Sequence, residues 1–478
     1  MATAAAHLLA RKDATELRRD RRLLGAMLLV ALLTLAAIAA TYARVADHER
    51  DRAAAAATER QSWLAQGPRD PHSAAHFAQW AFRPITAPAL LDPGTLPHAG
   101  SAIWMEAHAR NPAAFRPAED RTGSLDLGEF SAAWVLQVIA PLLLLVLAAG
   151  AVARERERGT LRLLLASGAP EGTLVRAKAR SLLRIGAFLA LPLLAIAAIA
   201  VVLAPEPPSA DELWRAILWC VAHAAFLLIP VLIGVAVSAR ARSTAAALVV
   251  LIGLWTVAVP LAPRAAASLA EALHPTPSGE RFWAGIQAEI RDGWDGGPTS
   301  EQRNAEFKEG LLRRYGVADV EDLPISFRGA NLDYNERYGN AVFARHHADL
   351  DAIAERQRGV MRAFSVLTPL VAMQNVSTAL AGTDNAHARH FALQAEAERQ
   401  RVVNALNADL TVNGVGDPAY KADQRLWRRF GLFEPAPLPL GQALGRIWPD
   451  LLILAAWLLF GGWLLARAGS ALGRDWAR

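Results

Sequence analysis

Two features of this chain have residue types and spacing that could do chemistry. One is a set of histidines, His346, His347, His387 and His390, and the other is the run Arg154–Pro170. His387 and His390, three apart on a helix, could present one ligand face to a metal ion. No His-Glu-x-x-His motif accompanies them, and the one cysteine, Cys220, sits inside an apolar block. Surface or helix-capping roles are therefore expected for these histidines, and no metal site. A Gly-x-Ser-x-Gly nucleophile elbow is absent. So is a Gly-x-x-x-x-Gly-Lys-[Ser/Thr] phosphate loop, without which the chain cannot hydrolyse ATP by that mechanism. The expectation is a non-enzyme with no cofactor of its own.

The run Arg154–Pro170 is the stronger signal. Leu161, Leu164 and Leu165 share a helical face by the i, i+3, i+4 rule. Glu155, Arg158 and Arg162 can form an exposed charged stripe. Gly159 can end one helix, because glycine tolerates backbone angles closed to other residues, and Thr160 can cap the next. A solvated loop would explain the arginines. It would not explain a Gly-Thr break followed by a leucine face and Pro170.

What positions this run is the apolar sequence on either side of it. The 478 residues are 53% hydrophobic, with mean hydropathy +0.19. The apolar residues fall in blocks of about 20, the length that crosses a hydrocarbon core of ~30 Å. Six membrane spans are expected, at 23–42, 131–152, 183–204, 213–237, 244–262 and 447–467, the fifth ending at Pro260 and Pro263. Trp134, Trp214, Trp255, Trp448, Trp457 and Trp463 lie in or beside them, as suits an indole at a lipid–water boundary. The first span is read as an uncleaved anchor, since its apolar run exceeds that of a signal peptide. The net charge of +5 comes with arginines flanking apolar blocks, so anionic lipid rather than nucleic acid is the expected partner.

Arginines and lysines crowd residues 11–22, 154–184 and 240–242, whereas Pro205–Glu212 has none. That asymmetry places both termini (1–22 and 468–478) and the hairpin 153–182 in the cytoplasm, and the long segments 43–130 and 263–446 outside. A helix over Asp47–Gln66 should continue the first span. The segment 263–446 should be a mainly helical domain, with a capping box at Thr299 and Gln302, helices over Leu332–Arg358 and Ala386–Leu410, and Asp384 or Thr383 as an N-cap. Gly359–Met373 is apolar but short and contains Arg362, so it is not expected to span. The fold class expected is an all-α polytopic membrane protein.

Glu157, Gly159, Thr160, Leu161, Leu164 and Leu165 resemble the E-x-G-T-L-x-x-L-L signature of ABC-2 type ABC transporter permeases. A second block looks like the extracytoplasmic domain of unknown function found in a subgroup of those permeases. It comprises Leu367-Thr368-Pro369, Ser377-x-x-Leu380-Ala381-Gly382-Thr383-Asp384, His387-x-x-His390-Phe391 and Ala395-Glu396. The resemblance implies the membrane subunit of an exporter in a bacterial inner membrane. It would pair with itself or a similar permease and dock a separate ATPase that holds ATP and Mg. The coupling helix would use Glu155, Glu157, Gly159, Thr160, Leu161, Leu164 and Leu165, with the leucines in a groove of the ATPase and the glutamates at its rim. The rival reading is a membrane-anchored binding or sensor protein. A membrane-bound metallohydrolase rests on the histidines alone.

Overall fold

The computed structural model describes residue 15 and residues 21–116, 130–166 and 171–476. The protein is an all-α polytopic membrane protein, with one small β-ribbon. Five helices among the described residues are long and apolar enough to cross a membrane: Leu24–Ala65, Ala132–Glu157, Ala210–Arg240, Thr244–Leu273 and Leu440–Leu472. The expected third span falls in the continuous helix Glu171–Val202, whose described apolar stretch is Ala190–Val202.

The first span and the helix expected above it are one rod, Arg21–Ala65. Its buried hydroxyls, Thr34 and Thr41, donate to the carbonyls of Val30 and Ala37 at 2.9 Å, so neither is left unpaired against lipid or neighbouring helices. Ala210–Arg240 is the hub of the bundle. It packs on Leu440–Trp476, Glu171–Val202 and Ala140–Ala149. Gly234 permits the last contact, because a Cβ there would stand 2.5 Å from the Ala148 methyl.

The fifth span does not stop at its prolines. The helix runs through Pro260 to Leu273 by way of a π-helical turn, Val257–Leu261. The wider turn leaves the Ala258 carbonyl free to accept from the Thr368 hydroxyl at 2.8 Å. Pro263 lacks the N–H that would next meet that carbonyl in the π register, and the Thr368 hydroxyl takes its place.

Residues 43–116 and 274–439 build a head on the bundle. The capping box at Thr299 and Gln302 starts Ser300–Tyr315 as expected. The helices over Leu332–Arg358 and Ala386–Leu410 extend to Phe327–Ala363 and Asn385–Asn413. The ribbon pairs Trp80–Phe82 with Ala102–Trp104, antiparallel, Trp80 opposite Trp104. Gly359–Met373 does not span. Its chain leaves Phe327–Ala363, turns, and enters the helix Pro369–Ala381. Leu370, Val371, Ala372 and Met373 are buried there, in a helix packed on Ala210–Arg240 and Leu440–Trp476.

Candidate functional site

The hairpin begins where the second span breaks at Gly150-Ala151. Ser238, near the end of Ala210–Arg240, accepts from the amides of Val152 and Ala153 at 3.0 and 3.1 Å and donates to the Ala149 carbonyl at 2.7 Å. One hydroxyl thus satisfies backbone groups that the break would strand. Arg156 reaches the same helix end, donating to the carbonyls of Ala239, at 2.8 Å, and Ala241. Two short helices follow, Ala153–Glu157 and Thr160–Ala166. Gly159 joins them at φ +73°, the left-handed conformation expected of it.

The side chains sit differently from the sequence-based expectation. Glu155 does not line an exposed stripe or rim; it is 8% exposed and pairs with Lys178 at 2.8 Å. The spacing of Glu155 to Thr160 turns it inward: the Thr160 hydroxyl donates to both the Glu155 carbonyl and its carboxylate. Thr160 therefore ties the two helices together and does not cap by accepting. Glu157 accepts from the Thr244 amide and hydroxyl at 2.9 and 2.7 Å, which binds the hairpin to the start of the fifth span. Leu161 is buried, and Leu164 and Leu165 pack partly on the same core. Leu163 is 71% exposed, and Arg154, Arg158 and Arg162 are exposed as well. Ser167–Pro170 lie outside the described residues.

At the opposite end of Ala210–Arg240 stands Arg215, which lies inside the expected span 213–237. It is buried, donating to the Asp211 carboxylate at 2.6 Å, to the carbonyls of Ala379 (3.0 Å) and Leu438, and to His387 Nε2 at 3.3 Å. His387 Nδ1 donates in turn to the Asp384 carboxylate at 2.6 Å. Asp384 also caps Asn385–Asn413, as expected, by accepting from the His387 amide. One helical turn on, the Trp219 indole donates to Ser377 Oγ at 2.9 Å, and Ser377 donates to the buried Asp92. Burial pushes the Asp92 carboxyl up, against the pull of the bonds it accepts from the Ser377 hydroxyl and the Gly94 amide. On the neighbouring span, Asp450 is fully buried and accepts from Arg362 and Asn375, both at 2.9 Å. The arginine that argued against a seventh span is thus the one that fastens the head to the last helix.

His387 and His390 share no ligand face; His387 is taken up in the Arg215 cluster. His346 and His347 pack their ring edges on Phe282. Among the described residues, the histidines that converge are others: His72, His76 and His108.

Residues 115–257, which include both the hairpin and Arg215, match the family model described as ABC-2 family transporter protein. This stretch of the chain is an ABC-2 family transporter domain. Residues 280–436 match a domain of unknown function, DUF3526, which takes in most of the head. No curated protein matches the chain. As an ABC-2 permease it is the membrane subunit of an ABC transporter and not its ATPase, and its family works with an ABC ATPase. The buried polar cluster around Arg215 and Ser377 is where the two matched regions meet.

Proposed function

We propose that this permease is the membrane subunit of a bacterial inner-membrane exporter. It works as a pair with itself or a similar permease and docks a separate ATPase, with its ATP and Mg, on the hairpin 153–166. The observation that carries this reading is the double attachment of Ala210–Arg240. Ser238 holds the hairpin at one end and Arg215 holds the head at the other, about 35 Å apart at 1.5 Å per residue. A push on the hairpin reaches the head through a single helix.

The docking surface is the exposed edge Arg154, Arg158, Arg162 and Leu163, with Glu155 and Thr160 bracing it from behind and Gly159 setting the turn. Leu161, Leu164 and Leu165 hold the hairpin to the bundle and do not enter the ATPase directly. The arginines on this edge set it in the cytoplasm together with both termini, and the head outside. A membrane-anchored sensor would need only a tether. The head is instead clamped by a buried arginine and by an ion pair whose carboxylate, Asp450, is fully buried.

The test is co-purification of the chain with its ATPase and assay of nucleotide hydrolysis. Retention of a hydrolysing subunit on the wild-type chain, and its loss on Leu163→Asp, is the expected result. A chain that purifies alone, whose deletion leaves membrane ATPase activity unchanged, overturns the reading and brings the sensor forward.

A further inference from the structure

His72 and His76 lie four residues apart on the short helix Pro71–Phe77, so both rings leave the same face. The helix is firmly placed. Asp70 caps it by accepting from the Ser73 amide at 2.9 Å and pairs with Arg328 at 2.8 Å. Ala74 and Ala75 are buried against Trp63 and Trp427. His108 comes from the segment after the ribbon and is held at φ +63°, a conformation that is strained for a side chain of its size. Its amide donates to Glu336 at 2.9 Å, and its Nδ1 lies 2.5 Å from the same carboxylate oxygen. The three rings form a nearly equilateral triangle, with centroids 5.0, 4.8 and 5.0 Å apart.

The hydrogen bonds behind the rings fix their tautomers. The Asn407 amide oxygen stands 3.0 Å from His72 Nδ1, and Glu336 stands behind His108 Nδ1, so both Nδ1 atoms carry protons. Arg399 stands 3.5 Å from the other oxygen of that carboxylate. His72 and His108 bring their Nε2 atoms to 3.0 Å from each other. A proton shared between them, or a metal ion beside both, satisfies that approach. Imidazole nitrogens on a tetrahedral zinc stand roughly 3.3 Å apart. Metal-binding histidines characteristically donate the other ring N–H to a carboxylate or an amide oxygen, as both do here.

We propose that His72, His76 and His108 bind one divalent transition-metal ion of the zinc class. Three neutral imidazoles with no thiolate and no carboxylate in the first sphere favour zinc, copper(II) or nickel over magnesium or calcium. His76 and His108 are exposed while His72 is buried, so the fourth position of the ion faces solvent and is open to water or to a donor from a partner. The site sits beside Trp63, roughly 30 Å beyond residue 42, where the first apolar stretch ends. It ties residues 71–108 to the helices Phe327–Ala363 and Asn385–Asn413 through Glu336 and Asn407. This inference stands apart from the transport reading, and neither depends on the other.

The test uses the full chain, free of any polyhistidine tag, stripped with chelator in lipid nanodiscs and titrated calorimetrically with zinc chloride alone. One site per chain is expected, with magnesium giving no heat of binding. His76→Gln leaves the buried His72–Asn407 and His108–Glu336 bonds in place and should weaken zinc binding by at least ~100-fold. His98→Gln, at an exposed histidine away from the cluster, should bind as the wild type does. Zinc should raise the unfolding temperature of the wild type and leave that of His76→Gln unmoved, which separates loss of a ligand from loss of the fold. No saturable zinc binding by the wild type, or equal affinity in His76→Gln, overturns the proposal.

Discussion

Replacing Lys178 with Met should release the hairpin. Glu155 and Lys178 are 2.8 Å apart with side chains 10% and 7% exposed, so neither charge has water to turn to. Replacing the lysine takes this 2.8 Å charge contact from a carboxylate held away from water, and losing one member of a buried pair costs about 3–5 kcal/mol. The Thr160 hydroxyl still donates to Glu155 but brings no positive charge. Since 1.4 kcal/mol is tenfold, the equilibrium for opening the hairpin should rise by roughly two to four powers of ten. Trypsin reads that equilibrium directly, because cleavage after Arg158 and Arg162 needs locally unfolded chain and follows the open population when reclosing is fast. Membrane vesicles with the hairpin side outward, digested and analysed by mass spectrometry, should show Lys178→Met cut at least ~100-fold faster than wild type. The double variant Glu155→Leu/Lys178→Met removes both charges and keeps the volume, and such exchanges are often neutral. Its cleavage should fall back to within about tenfold of wild type. Equal cleavage of Lys178→Met and wild type, or a double variant as labile as the single, would refute the claim that this ion pair holds the hairpin.

Leu163→Asp should abolish ATPase retention while leaving insertion and the unfolding temperature unchanged, whereas Leu161→Asp, at a buried position, should lower the unfolding temperature as well; the opposite pattern in a co-purification and melting experiment would reverse the two roles. In a Cys220→Ser background, impermeant maleimide applied to whole cells should label Cys placed at Ser73 or Glu301 and miss Cys placed at Arg162, and labelling at Arg162 would invert the topology. Arg362→Leu should strand the fully buried Asp450 carboxylate and destabilise the head–bundle joint by about 3–5 kcal/mol, seen as a lower unfolding temperature that Asp450→Asn partly restores. Burial, with the Arg110 charge beside it, pushes the His347 imidazole down to about 4, below its unfolded value of about 6.5. The unfolded chain thus takes up this proton first, so stability should hold above about pH 6.5 and drop as pH falls toward 4; His347→Leu should flatten that part of the melting-temperature profile, and an unchanged profile would count against a buried neutral ring.

The sequence was most legible where structure is local. Apolar block lengths marked the spans, Thr299 and Gln302 marked a helix start, and Gly159 marked a turn that the backbone takes at positive φ. Each of these signals is confined to a few consecutive residues. The direction in which hairpin side chains point was not legible, because it depends on Lys178 and Ser238, more than 20 and more than 80 residues away from Glu155 and Val152. Helical periodicity groups Leu161, Leu164 and Leu165 on one face but cannot say whether that face meets a partner or its own bundle. Pro260 misled for a related reason. Proline ends an α-helical hydrogen-bond ladder, yet here a π-turn carries the helix past Pro260, and an outside donor, Thr368, takes the Ala258 carbonyl. The histidine cluster was hidden more deeply still. His72 and His108 become neighbours only through Asn407 and Glu336, which are 335 and 228 residues further on. The one local trace was the i, i+4 pair His72 and His76 ahead of a capped turn.

The permease uses two kinds of contact for two purposes. Along its middle, Ala210–Arg240 meets its neighbours mainly through apolar surfaces and the close Gly234–Ala148 approach, which carry no fixed direction, with one buried polar contact, Gln137 to His223 at 3.1 Å. At its ends it is held by Ser238 and Arg215, whose hydrogen bonds to backbone carbonyls and amides have one geometry each. Lipid offers these groups no alternative partner, so breaking them near the membrane leaves polar atoms unsatisfied. A tilt of the helix is then absorbed by the apolar middle and passed on at the ends. In this arrangement the hairpin and the head can act as one mechanical unit across the bilayer, and the polar clusters at the two ends are what a transport cycle would have to move together.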